Sequence, residues 1–166
     1  MKKTSLFVGI IAMLVALNCF GADYKFGYVS IDRIGDAYSK AKDYTKLLED
    51  KQAAYTAELD KKQNEVKTLR DKIALLSDKE KETKASEFEG KYKELQSLAQ
   101  QRQSDLRKEQ GQRAMELSQD IKKTITEYAE KEGYTMIFDA AAVAYQPKGM
   151  DVTDKIIEML NSTYKK

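Results

Sequence analysis

Tyr24, Phe26 and Tyr28 alternate along the chain, and Val29 and Ile31 fall on the opposite side. This two-residue period predicts a strand. Ile31 to Ser39 is mixed, with Gly35 at its centre, and predicts a short helix leading outward. From Lys40 the period lengthens. Gln52, Leu59, Val66 and Ile73 form one series of seven-residue steps, and Leu48, Tyr55, Lys62, Leu69 and Leu76 form a second. Successive members lie three and four apart, which is the a/d stripe of a coiled coil. Only Gln52 and Lys62 interrupt it.

At Ser77-Asp78-Lys79-Glu80 the stripe breaks, and Ser77 followed by Glu80 is the capping-box signature of a new helix. One unbroken helix would run roughly 140 Å and leave the flanking strands too far apart to pair. A helical hairpin over residues 40–132, with its tip near 77–80, reunites them and is the preferred arrangement. The returning stripe is Ala85, Phe88, Tyr92, Leu95, Ala99 and Leu106, so folding about the tip sets Leu59 near Leu95, Tyr55 near Ala99 and Leu48 near Leu106. Ala114, Leu117, Ile121 and Tyr128 resume the stripe one residue out of register. Between Gln100 and Arg113 only Leu106 is apolar, and Gly111 adds a poor helix former, so this stretch is expected to be the loosest of the arm. Glu58/Lys62, Glu80/Lys84 and Glu87/Lys91 have the favourable i,i+4 order.

After Gly133, Tyr134, Met136 and Phe138 alternate as a second strand, and Val143-Ala144-Tyr145 reads as a short third. Pro147-Lys148-Gly149 is a turn. Asp151 then caps a final helix whose stripe is Val152, Ile156 and Leu160.

Composition narrows what such a chain can do. Charged residues make up 34% of it, and histidine and tryptophan are absent. Met1-Lys2-Lys3 and the uncharged run Leu6 to Leu17 have the form of a secretory signal, with Cys19 and Gly21 placed for a cut before Ala22. A retained helical anchor and a lipidated Cys19 are the alternatives. Removing residues 1–21 takes Lys2 and Lys3 from the 29 basic residues, leaving 27 against 27 acidic ones. A neutral balance gives no pull toward nucleic acid.

No histidine, no mature cysteine, no glycine-rich phosphate loop and no nucleophile elbow are present, so catalysis is disfavoured and neither cofactor nor metal is expected. Asp32, Asp139, Asp151 and Asp154 read as caps and turn residues. Residues 22–39 and 133–166 together make a head with three short strands, open edges and a marginal core. Joining strands with further copies closes a small β-barrel, so Phe26, Tyr28, Val29, Ile31, Met136, Ile137 and Phe138 are expected at an interface between copies. The fold class is therefore α+β, mostly α. On the arm, Tyr44, Tyr55, Phe88 and Tyr92 either pack the hairpin or offer apolar surface to unfolded segments.

Phe26-Gly27-Tyr28-Val29-Ser30-Ile31-Asp32-Arg33-Ile34, Gly133-Tyr134-Thr135-Met136-Ile137-Phe138-Asp139, Val143-Ala144-Tyr145 and Gly149-Met150-Asp151-Val152-Thr153-Asp154-Lys155-Ile156-Ile157 resemble the Skp/OmpH family of periplasmic chaperones, as does Leu75-Leu76-Ser77 at the tip. The resemblance implies a homotrimer whose β-barrel head bears three hairpin arms. It also implies an ATP-independent holdase in the periplasm that receives unfolded outer-membrane proteins in the cavity between the arms. Family members are often strongly basic, whereas this mature chain is neutral. Weak contact with membrane lipid or lipopolysaccharide would then rest on local clusters, Lys61-Lys62 and Lys79/Lys81/Lys84, which also read as a solvated face. A structural coiled-coil protein of the envelope, lipid-anchored through Cys19, is the alternative function.

Overall fold

The structure, a computed structural model, describes residues 24–164. The expected signal at 1–21, the cut before Ala22 and Cys19 lie outside the described residues. Strand β1 (Phe26–Val29) leads into helix α1 (Ile31–Ala37) and then the long helix α2 (Ser39–Ala74). Leu75, Leu76 and Ser77 turn the chain into α3 (Asp78–Glu132), which returns to strand β2 (Met136–Asp139). Two 3₁₀ turns, Ala140–Ala142 and Lys148–Met150, precede the last helix, α4 (Thr153–Thr163). Among the described residues no helix is long and apolar enough to cross a membrane.

The two strands pair in parallel, with Phe26 opposite Met136 and Val29 opposite Asp139. A parallel pair cannot be closed by a tight turn and needs a crossover. Here the entire helical hairpin is that crossover. At about 1.5 Å per residue, α2 extends about 54 Å and α3 about 82 Å. At the tip the Ser77 amide donates to the Glu80 carboxylate (3.1 Å), and the Ser77 hydroxyl donates to the same group. The capping box expected from the sequence therefore starts α3. At the far end Gly133 takes a left-handed conformation (φ 71°) that side-chain-bearing residues avoid. Lys25 Nζ donates to the Glu132 carbonyl (2.8 Å), and the Thr135 amide donates to the Lys25 carbonyl (2.7 Å), so helix end and strand pair are tied together.

The core lies where the hairpin meets the strands. Val29, Ile34, Tyr38, Ile121, Val152, Ile156 and Leu160 are buried together, with Leu117, Ile125, Tyr128, Tyr134 and Ile137 packed against them. Residues Val152, Ile156 and Leu160 are the stripe read from the sequence. Gly27 permits a close approach, because a Cβ there would stand 2.9 Å from the Tyr134 ring. Thr153 is fully buried but satisfied: its hydroxyl accepts from the Ser30 amide (3.0 Å) and donates to Asp151. Asp151 also accepts from the Thr153 amide (2.9 Å), and Arg33 bridges Asp151 (3.0 Å) and Asp154 (2.6 Å). Head and final helix are thus clasped by hydrogen bonds around a small apolar centre.

Two local expectations are corrected. Val143-Ala144-Tyr145 forms no strand. The Gln146 side chain donates to the carbonyls of Ala140 and Val143, turning the segment on itself, and Tyr145 stays 80% exposed. The free edge of β1 instead receives one bridge from the start of α4, where the Val152 amide donates to the Tyr28 carbonyl (3.0 Å). Nor do the three i,i+4 pairs form. Glu58 is taken by Arg102, Glu80 by Ser77, and Glu87 by Lys84 (2.7 Å).

Ile156 has no exposed surface, so Ile156→Ala should lower unfolding stability by about 2–5 kcal/mol. Leu75, at the tip and 89% exposed, should tolerate Ala within about 0.5 kcal/mol. Urea titration checks both, and equal losses would contradict this placement of the core.

Candidate functional site

The arm changes character along its length. Near the head, apolar packing from the core continues into it through Ala41 and Leu117. In the middle it is held by polar contacts. Tyr44 donates to Glu116 (2.7 Å), Lys51 pairs with Glu109, and Arg102 grips Glu58 through two nitrogens at 2.8 and 3.0 Å. Each of these positions recurs every seven residues on its own helix, so the ladder is itself a heptad, written in charges. Lys40 adds contacts to Glu116 (2.6 Å) and Asp120 (2.8 Å), and Arg113 bridges Glu109 and Glu116, both at 3.3 Å. The cross-helix partners lie further along the return helix than a strict mirror about the tip would place them.

The stretch Gln100 to Arg113 is thus poor in apolar groups yet well bridged. Its arginines also cover two aromatic rings: the guanidinium of Arg102 lies 4.8 Å from the Tyr55 ring centre, and that of Arg113 lies 4.6 Å from Tyr44. Tyr44 and Tyr55 are half-buried between the helices and hold the hairpin together.

Phe88 and Tyr92 sit differently. Their rings stack at 6.2 Å and 15°, one turn apart on α3. With Val66 and Leu95 they line an open groove near the tip, edged by Asp60, Lys67 and Arg70. Tyr92 remains 46% exposed while Val66 is buried beneath. The opposite side of the arm carries Lys61, Lys72 and Lys91 around Leu69. Of the four aromatic residues singled out in the sequence, the structure brings Phe88 and Tyr92 together and sets Tyr44 and Tyr55 apart from them.

In the head, Phe26, Met136 and Phe138 point outward on one face of the sheet, with Phe26 and Phe138 ring centres 6.3 Å apart. Tyr24 stacks on Phe26 at the same distance, and Ile31 is exposed beside a groove lined by Leu117, Ile121 and Ile125. Tyr28 is half-buried. Val29, expected at an interface between copies, is only 2% exposed. The strand period turns it with Gly27 into its own chain's core, and that is a correction. Ile137 packs half-buried against the same core. The charge ladder was missed in the sequence, although a signal for it exists in the shared seven-residue spacing of Tyr44, Lys51 and Glu58 with Arg102, Glu109 and Glu116. Among the described residues no cluster of His, Cys, Asp or Glu could hold a metal.

Electrostatics follow the ladder. Hydrogen bonds from Lys40 and then Tyr44 hold the Glu116 carboxyl down at about 2. Lys51 lowers Glu109 in the same way, and Arg102 lowers Glu58. Burial works against the charge on Lys40, but hydrogen bonds to Asp120 and Glu116 overcome it and raise its pKa. Burial and the neighbouring Asp120 push the Tyr38 phenol up to about 12.

A family model described as outer membrane protein (OmpH-like) matches residues 25–160. Six solved chains match in structure. One of them, from Caulobacter crescentus CB15 and described as a candidate outer membrane chaperone (OmpH-like), superposes with a TM-score of 0.76. It is 19% identical, and the match covers 86% of each chain. Among curated proteins none matches.

Glu116 titrates below its ordinary 4.5, so its contribution is present above that value and lost as pH falls toward about 2. Urea midpoints should therefore drop across that window, and Glu116→Gln should make the drop shallower. An unaltered slope in the variant would remove Glu116 from the ladder's energetics.

Proposed function

The chain belongs to the OmpH-like outer membrane protein family, and from that premise we propose that it is an ATP-independent holdase for unfolded outer-membrane proteins. In this reading it works in the periplasm after cleavage of residues 1–21. Residues 22–39 and 133–166 form the head, and residues 40–132 form the arm. Three copies join heads through Phe26, Tyr28, Ile31, Met136 and Phe138, with Ile137 at the edge, and their arms enclose a cavity. Clients meet the arm at Phe88 and Tyr92 and the apolar groove they share with Val66 and Leu95. Tyr44 and Tyr55 serve the arm rather than the client. No cofactor enters the cycle.

The observation that carries the proposal is that groove. It places aromatic and aliphatic surface, rimmed by charge, near the end of a long arm. Unfolded chains offer no fixed geometry, so a binder needs many weak, non-directional contacts. A shallow aromatic surface supplies these. A slender arm held together by its own ladder supplies reach without a closed pocket.

Light scattering after dilution of a denatured β-barrel outer-membrane protein tests the proposal. One trimer per client should suppress aggregation, and Phe88→Ala with Tyr92→Ala should weaken suppression several-fold while the circular dichroism spectrum stays helical. No suppression by the parent chain would overturn the holdase reading and return the chain to a structural coiled coil. Full suppression by the double variant would move the client site off the groove.

A further inference from the structure

The outgoing side of the arm has a joint that the returning side lacks. Helix α3 runs unbroken from the tip to Glu132, whereas α1 and α2 are separated at Tyr38, whose backbone is extended (φ −73°, ψ 118°). We propose that Asn161 of α4 is the positioning residue of the arm: its amide caps both helices at this break and fixes the direction in which α2 leaves the head.

A break of this kind strands carbonyls at the end of α1 and amides at the start of α2. In a continuous helix the Ala37 carbonyl would accept from the Ala41 amide, and the Ser39 amide would donate to the Gly35 carbonyl. At Tyr38 the Ala41 amide turns instead to the Tyr38 carbonyl (3.1 Å). Tyr38 occupies the N-cap position of α2, but its side chain makes no capping hydrogen bond. Asn161 answers both deficits. Its Oδ1 accepts from the Ser39 amide (2.8 Å), and its Nδ2 donates to the Ala37 carbonyl (3.2 Å).

Few side chains meet this demand. A primary amide carries a donor and an acceptor side by side, whereas a carboxylate lacks the donor and an aliphatic group lacks both. The surroundings favour a fixed joint over a merely covered one. The Tyr38 ring is 3% exposed and meets Tyr164 edge-on at 6.1 Å, and its hydroxyl donates to Asp120 (3.2 Å). The Tyr164 hydroxyl donates to Asp43 on the first turns of α2 (3.1 Å). The end of α4 therefore holds α1 and α2 on either side of the break, from more than a hundred residues away in the chain. Because α3 is anchored in the core through Ile121, a loosened Tyr38 lets α2 shift against it, which changes how the arm leaves the head. The inference concerns the arm's geometry and does not rest on the holdase reading.

Hydrogen exchange with single-amide resolution on the full chain tests it, alongside single-molecule transfer between dyes on Lys67→Cys and Lys148→Cys. The labelled chain carries Cys19→Ser and is diluted into unlabelled chain, so that each assembly holds one pair. In Asn161→Ala the Ser39 amide should exchange about tenfold faster, and the dye-to-dye distribution should broaden. Amides of α4 itself should be unaffected, because Ala is the better helix former. Asn161→Asp keeps the acceptor and should leave Ser39 protected. Parent-like exchange at Ser39 and an unbroadened distribution in Asn161→Ala would overturn the proposal, as would equal loss of Ser39 protection in the Ala and Asp variants.

Discussion

A parallel pairing between two four-residue strands governs the shape of this chain, because the strands are separated by more than a hundred residues that must come back to where they started. β1 and β2 are far too short to be stable as an isolated pair. They persist because the ends of the crossover dock on the same core that they close. Ile34 and Tyr38 arrive from the outgoing side, Ile121 and Tyr128 from the returning side, and Ile156 and Leu160 fill the space between. The hairpin tip follows from this closure. A helix that never turned would leave Val29 and Ile137 without partners, so the capping box at Ser77 and Glu80 works with the sheet rather than beside it.

Beyond the core, two different forces hold the arm, and they are segregated. Apolar contact dominates at the root and again near the tip at Val66, Phe88 and Leu95. The middle depends on ion pairs and on arginines lying over tyrosine rings. Ion pairs that keep part of their solvation add little net stability each, so the ladder specifies register more than it adds stability. A one-residue slip between α2 and α3 would set Glu58 away from Arg102 and Lys51 away from Glu109 at once. Apolar residues tolerate such a slip far better, because their contacts have no direction. Charges therefore do in the middle what a purely apolar seam would do poorly: they keep two long helices from sliding.

Much of this was legible in the sequence, and the misses share a cause. Periodicity reports which face of an element is buried, and it found the strand faces, the tip at Ser77, the returning stripe and the Val152–Ile156–Leu160 face of α4. It is silent on partners. Reading only apolar positions made Gln100 to Arg113 look loose, although its charges repeat with the same seven-residue step as the positions they face. Glu58/Lys62 looked like a local pair because the distant Arg102 cannot be seen from α2 alone. The third strand failed for a related reason: Val143-Ala144-Tyr145 has strand composition, but Gln146 gives the neighbouring carbonyls a nearer partner. The mixed pattern up to Ser39 did set a short helix apart from the arm, but the residue that completes the break at Tyr38 stands in another helix.

The same period that buries Val29 leaves the other face of the sheet uncovered, and the two facts are one. Alternation sends Gly27 and Val29 inward and Phe26 outward, and the register places Met136 and Phe138 beside it. Among the described residues nothing covers that face, because the last helix, α4, is already committed to the inner side through Ile156 and Leu160. At the sheet edge, among the described residues, a single bridge meets β1, with the Val152 amide donating to the Tyr28 carbonyl. A two-stranded sheet with one apolar face dry and the other wet is a poor end state for a monomer. In the proposed assembly, further copies of the chain would supply backbone edges for the open edges and aromatic residues for the open face. The constraint that bends the arm back on itself is therefore also the one that leaves the outer face of the sheet at Phe26, Met136 and Phe138 uncovered within one chain.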